Sequence, residues 1–292
     1  MKKHSHDRRK IARRSFLFMA GGALAQGFNI MPSARAAQVI RVKRGAFYGI
    51  PFYKTTIDLN DPHTFLAIGL ANNSTLGNHQ GPKGHESFEN MVKRYHAALV
   101  VNGAFFGTSE PFPVLGNLIS GGVLLQYNPR QNWGTTIGIK ANNRPEIITA
   151  RAEGNPSWEQ YWFSLTAGPR LLKNGKVWLA PRSEGFTDPR VMGTARRLAI
   201  GFPSSGNSLI LVTFLKNVTL AQEAHLMRAI GCSEAMNLDG GSSISLYNQG
   251  KMLLKPGRQL TNTIVIYDAE HPAPVFLQNA WAQFNQRSSS ST

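Results

Sequence analysis

Cysteine is nearly missing from this 292-residue sequence, with Cys232 the one thiol. A single cysteine excludes an intramolecular disulfide and any multi-cysteine zinc site, so burial has to hold the fold together. Cys232 itself, between Gly231 and Ser233, reads as a small buried hydrophobe and not as a nucleophile. Acids are scarce too, 16 against 32 lysines and arginines. The histidines His63, His79, His85, His96 and His225 lack metal-ligand spacing, so no zinc is expected. No cofactor is expected either, although a structural calcium held by aspartate and backbone oxygens stays open.

The chain also lacks a strong anchor. Its first 36 residues have a basic beginning, a twin arginine (Arg13, Arg14) followed by Ser15, Phe16 and Leu17, a glycine-interrupted apolar stretch, and Ala34-Arg35-Ala36 as a small-x-small cleavage site. That pattern reads as a twin-arginine signal peptide over residues 1–36. The apolar stretch falls short of the roughly 20 continuous apolar residues of a membrane span. The expected product is exported and not membrane-anchored, periplasmic or extracellular. Eight basic residues and one acid leave with the segment, so the net charge of +16 becomes +9, from 24 basic and 15 acidic residues. The remainder favours anionic partners such as phosphate groups or acidic glycans. No block of like charge marks a nucleic-acid arm, so nucleic acid is not an expected partner.

What is present is a series of short β-branched and aromatic runs bounded by turn residues. Val39 to Val42, Phe47 to Ile57, Phe65 to Leu70, Ala98 to Val101, Thr136 to Ile139, Ile147 to Ala150, Leu209 to Leu215, Ile244 to Tyr247 and Thr263 to Tyr267 read as strands. Helices are expected at His85 to His96 and at Thr219 to Ile230. The second carries a capping box, Thr219 with Gln222, and stops at Gly231. The fold class is α+β: one domain over residues 37–268 with a mixed, mainly antiparallel sheet and a few helices on it. Residues 269–292 form a tail whose serine-rich end is expected to be disordered.

One stretch stands out, Glu234 to Tyr247, EAMNLDGGSSISLY. An apolar strand stops at a carboxylate, Asp239, followed by glycines that admit close backbone approach and then by hydroxyls. By itself this is equally a tight turn in which aspartate bonds local amides. Three other stretches share its character: ALVVNGAFF at Ala98 to Phe106, LTAGPRLLKNG at Leu165 to Gly175, and RRLAIGFP at Arg196 to Pro203.

Together, in this order, the four stretches resemble the phosphodiester glycosidase family over roughly Ala67 to Tyr267. The similar motifs are Asn-Gly-Gly-Phe-Phe (here Asn102 to Phe106), Ala-Gly-Pro (Ala167 to Pro169), Arg-Thr-Ala-Ile-Gly (Arg197 to Gly201) and Asn-Leu-Asp-Gly-Gly-Gly-Ser (Asn237 to Ser243), with Arg258 and Asn262 matching a late Arg and Asn. Ala104, Leu198 and Ser242 depart from the family pattern. The first and third are expected to narrow the space over the site.

The resemblance implies cleavage of a sugar from a phosphodiester. That reaction passes through an oxocarbenium-like state that wants a carboxylate as nucleophile or as base for water. The leaving phosphomonoester, with a second pKa of about 6, needs charge stabilisation more than a strong acid, and a guanidinium supplies it. Asp239 is the expected catalytic carboxylate and Arg197 the phosphate clamp. Substrate contacts are expected at Asn102, Gly103, Phe106, Gly168, Asn237, Gly240 and Ser243. Glu234 and Asp239 cannot both face one cleft from one strand, and a second carboxylate would be Glu110 or Asp188. A serine hydrolase on Ser242 or Ser243 would want a G-x-S-x-G elbow, which GGSSIS lacks. A non-catalytic exopolysaccharide binder of the same fold is the alternative.

Overall fold

The structure, a computed structural model, describes residues 38–74, 84–128 and 132–290. The signal-peptide reading and His79 lie outside the described residues. Within them, the runs that are apolar at every position form strands buried on both faces. Leu198–Phe202 alternates between two cores: Leu198 and Ile200 join the main one, while Ala199 faces a second layer under helix Leu220–Ala229. Such double burial is why these segments read as continuous apolar runs and not as alternating ones.

Three sheets result, and among the described residues every pairing between these strands is antiparallel. The largest has seven strands in the spatial order Ile40–Phe47, Ile50–Asp58, Ser208–Phe214, Leu198–Phe202, Glu234–Asn237, Arg170–Lys173, Lys176–Val177. A second runs Lys251–Leu254, Leu246–Asn248, Leu99–Asn102, Asn262–Tyr267, Phe65–Leu70. A third runs Val123–Gln126, Leu118–Ser120, Phe163–Ala167, Thr135–Ile139, Pro145–Thr149. One large apolar cluster draws on all three sheets, so the described residues form an α+β unit.

Two expectations need correction. Phe47 to Ile57 is not one strand: the chain reverses at Tyr48 and Gly49, both at positive φ (47° and 73°). A tyrosine in that conformation carries no turn signal. The serine-rich end of the tail, expected to be disordered, is helical as far as Ser290, within helix Val275–Ser290. Its Trp281 meets the Trp162 ring edge-on at 5.0 Å, and its Leu277 is buried. Aromatic burial anchors a segment that composition alone marks as loose. Among the described residues no helix is long and apolar enough to cross a membrane.

Candidate active site

The chemistry gathers where the first and second sheets meet. Strand Glu234–Asn237 is central in its sheet, and Leu238 still donates to Leu198 O. The next residue leaves that sheet: Asp239 N–H donates to Gly103 O, and Asn102 Nδ2 donates to Asp239 O at 2.6 Å. Both backbone groups of Asp239 are thus fixed by the strand end Asn102-Gly103, 137 residues away in sequence. A side chain at Gly103 has no room, because its Cβ would lie 2.3 Å from Asn262 Oδ1. Gly240 is equally constrained, since a Cβ there would sit 2.4 Å from Arg196 O.

The Asp239 side chain faces a cavity of about 470 Å³. Its Oδ1 accepts from Gly240 N–H at 2.9 Å and its Oδ2 from Arg258 Nη2 at 3.1 Å. Burial pushes its pKa above the usual aspartate value, opposed first by the Arg258 charge. Arg258 is held by Ser243 Oγ, which accepts from its Nε at 2.8 Å, and lies 4.1 Å over the Phe106 ring. Its side chain is 31% exposed, against 10% for Asp239, so the pair forms a boundary between floor and mouth. Arg196 and Arg190 also line the cavity. The far wall material is aromatic: Phe105, Trp133 and Phe186 lie edge to face or tilted, with ring centroids 5.0 to 6.4 Å apart.

Several expected roles change with these contacts. Arg197 is 3% exposed. Its guanidinium donates to the carbonyls of Val218, Val191 and Gly193 and to Asn237 Oδ1. Four of its five N–H donors are spent on protein acceptors, which tie it to the surrounding chain although it also lines the cavity. Asn102 and Asn237 have both ends of their amides engaged with the chain: Asn102 also accepts from Ser245 N–H, and Asn237 donates to Gly168 O. Those bonds fix both amides within the scaffold, and Asn237 also lines the cavity. Gly103, Gly168 and Ser243 stand behind the cavity surface, whereas Phe106, Asn237 and Gly240 line it. Ala104 is buried and held by Asn262 on both its N–H and C=O. It therefore does not narrow the site, while Ser242 does reach the lining.

Of the candidate second acids, Asp188 lines the cavity and binds Arg190 through Nε and Nη2. Glu110 is exposed and not part of the lining. Glu234 turns away to Arg170 and to Asn174 N–H. The sequence reading missed two buried acids. Glu184 accepts from Thr135 Oγ1 and Arg170 N–H, directly before the cavity residues Gly185 and Phe186, and burial lifts its pKa to about 7. Glu223 is fully buried with no hydrogen bond to either carboxylate oxygen, 3.7 Å from Arg197 Nε, and burial lifts its pKa to about 8. Among the described residues no group of three or more His, Cys, Asp or Glu side chains is arranged to hold a metal.

Known proteins bear on this geometry. The catalytic domain of zebrafish N-acetylglucosamine-1-phosphodiester alpha-N-acetylglucosaminidase, auto-inhibited by its pro-peptide, superposes with a TM-score of 0.60 at 17% identity, covering 80% of this chain and 85% of that one. A hypothetical protein from Synechocystis gives 0.59 at 17% identity over 78% of this chain, which spans 62% of that one. A Burkholderia pseudomallei protein gives 0.56 at 15% identity, covering 75% and 74%. At such identities these show a shared fold. No curated protein matches. The phosphodiester glycosidase family matches residues 95–267, a span that contains Asp239, Arg258 and every strand and loop that positions them. The chain belongs to the phosphodiester glycosidase family.

Proposed function

We propose that this protein hydrolyses the glycosidic bond of a sugar 1-phosphodiester, releasing free sugar and a phosphomonoester. The observation that carries this reading is the single guanidinium of Arg258 touching Asp239 while remaining part-exposed at the cavity. A phosphate bound to that guanidinium would lie beside the carboxylate, with the anomeric carbon between them. The C1–O bond breaks, water's oxygen ends on C1, and the electron pair leaves with the phosphate. Asp239 serves this as nucleophile or as base toward water. Arg258, with Arg196 beside it, stabilises the departing charge in a site partly shielded from solvent. The signal-peptide reading of residues 1–36 would put this reaction in the periplasm or outside the cell.

The test is release of sugar from a panel of hexose and N-acetylhexosamine 1-phosphodiesters. Turnover of at least one is expected, with the matching sugar 1-phosphates as controls; no turnover of any diester would sink the reading. The pH profile adds a sharper check. Asp239 must be ionised to act, burial raises its pKa, and Arg258 opposes that rise. Arg258→Gln is therefore expected to move the acid limb of kcat/KM to higher pH, besides lowering its plateau by about 10²-fold. An acid limb that stays in place would show that another group titrates.

A further inference from the structure

Exposed large apolar side chains are not scattered over this molecule. Among the described residues they are Tyr48, Leu115, Val123, Leu124, Tyr127, Val275 and Phe276. Four of them belong to the single segment 115–127, and Leu115 also lines the catalytic cavity. Asn128 Nδ2 donates to Leu115 O and Asn128 N–H to Asn117 Oδ1, which holds the Tyr127 end of the segment against the cavity rim. Val123 and Leu124 continue along edge strand Val123–Gln126, and are 60% and 47% exposed. The hairpin glycines before that strand, Gly121 and Gly122, lie against Leu277 and Phe284 of the last helix, whose first turn carries Val275 and Phe276. Four of the seven residues thus lie on the one segment that also supplies Leu115 to the cavity lining. Exposed apolar side chains concentrated beside a cavity mark a binding site more often than singly scattered ones.

In the cavity Leu115 adjoins the aromatic wall of Phe105, Trp133 and Phe186, its N–H donating to Phe105 O, and the guanidinium groups of Arg196 and Arg258 share the same lining, Arg258 over the Phe106 ring. The sequence of chemistries is cation, aromatic wall, apolar rim, apolar surface track. That order fits an amphiphile with a phosphate head and a long aliphatic chain. Resting on the hydrolase reading above, we infer that the natural substrate is a sugar 1-phosphodiester of a lipid alcohol, whose chain leaves the cavity over Leu115 and Tyr127 toward edge strand Val123–Gln126. The alcohol stays on phosphorus when C1–O breaks, so the product held by the track is the lipid monophosphate.

Binding of alkyl phosphates tests this without requiring turnover. Ethyl and octyl phosphate share one head group and differ by six methylenes. Each methylene removed fully from water is worth roughly a factor of four, so covering a third of them gives about tenfold. Calorimetry on the full chain is expected to show octyl phosphate binding at least about tenfold more tightly than ethyl phosphate. The preference should collapse in the double variant Leu124→Ser/Tyr127→Ser, whose sites are exposed and outside the cavity lining, while ethyl phosphate affinity holds. Equal affinities in wild type overturn the inference, and so does a preference that survives the double variant. If Trp133→Ala weakens both ligands equally, the wall holds the head group and not the chain, which overturns the path drawn here. A chain-length preference without turnover of octyl or ethyl sugar phosphodiesters would sink the hydrolase reading and leave the track standing.

Discussion

Asp239→Asn is expected to lower kcat/KM on a sugar 1-phosphodiester by about 10³-fold while leaving the melting temperature within a few degrees. The asparagine keeps the size of the side chain, and its Oδ1 can still accept from Gly240 N–H. What it loses is the negative charge, which is the property demanded by an oxocarbenium-like centre or by a water to be deprotonated. Stability should hold because the partner left behind, Arg258, is 31% exposed and keeps Ser243 and solvent as acceptors. Burial already disfavours the ionised Asp239, so neutralising it removes a cost as well as an ion pair. Kinetics of sugar release beside a thermal melt separates the two effects. A variant that stays within tenfold of wild type would move the catalytic carboxylate elsewhere, and Asp188 is the acid that shares the cavity lining.

Asp239 was legible in the sequence for a local reason: an apolar run ends on an acid and two glycines, and the chain does leave its sheet there. The strand ends Asn102-Gly103 and Gly168-Pro169 were legible in the same way, and all three converge. What the sequence could not show is which way a polar side chain at a strand end points. Asn102 and Asn237 have the chemistry of sugar ligands, yet both amides are bonded to neighbouring chain, Asn102 to Asp239 O and Ser245 N–H, Asn237 to Gly168 O and Arg197. The division into three sheets was hidden for a related cause. Neighbours such as Ile50–Asp58 and Ser208–Phe214 are far apart in the chain, and no local pattern encodes that pairing. Trp133 and Phe186 reach the cavity from loops whose local sequence carries no motif, and Arg258, which matches a late arginine of the family pattern, gave no sign of its contact with Asp239. Glu184 and Glu223 sit in stretches that read as ordinary loop and helix, and only burial reveals them.

The buried hydrogen bonds of Arg197 lead to the second large effect, on stability. Arg197→Met should cost about 3 to 5 kcal/mol, because several buried acceptors lose their donor at roughly 1 to 3 kcal/mol each. It strands the Val191, Gly193 and Val218 carbonyls and the Asn237 amide, and leaves Glu223, 0% exposed, without a counter-charge. The pH dependence identifies the cause. With Arg197 present, Glu223 titrates at about 8 in the fold against 4.5 for the ordinary group. Between those values the folded protein keeps a proton that the unfolded chain has released, so this residue costs stability as pH rises, at most about 1.4 kcal/mol per unit. Removing Arg197 raises the folded pKa further, because its charge was the one force lowering it. The gap in melting temperature between wild type and Arg197→Met should therefore widen above pH 8. In a Glu223→Gln background the gap should lose its pH dependence and keep the part due to the stranded carbonyls. A phosphate clamp would behave otherwise: its loss would raise KM for the diester at an unchanged melting temperature. An Arg197→Met protein with wild-type stability and weakened substrate binding would return Arg197 to the clamp role. The expected result makes it instead the tie that sets loop 191–193 and strand Glu234–Asn237 in the geometry Asp239 needs.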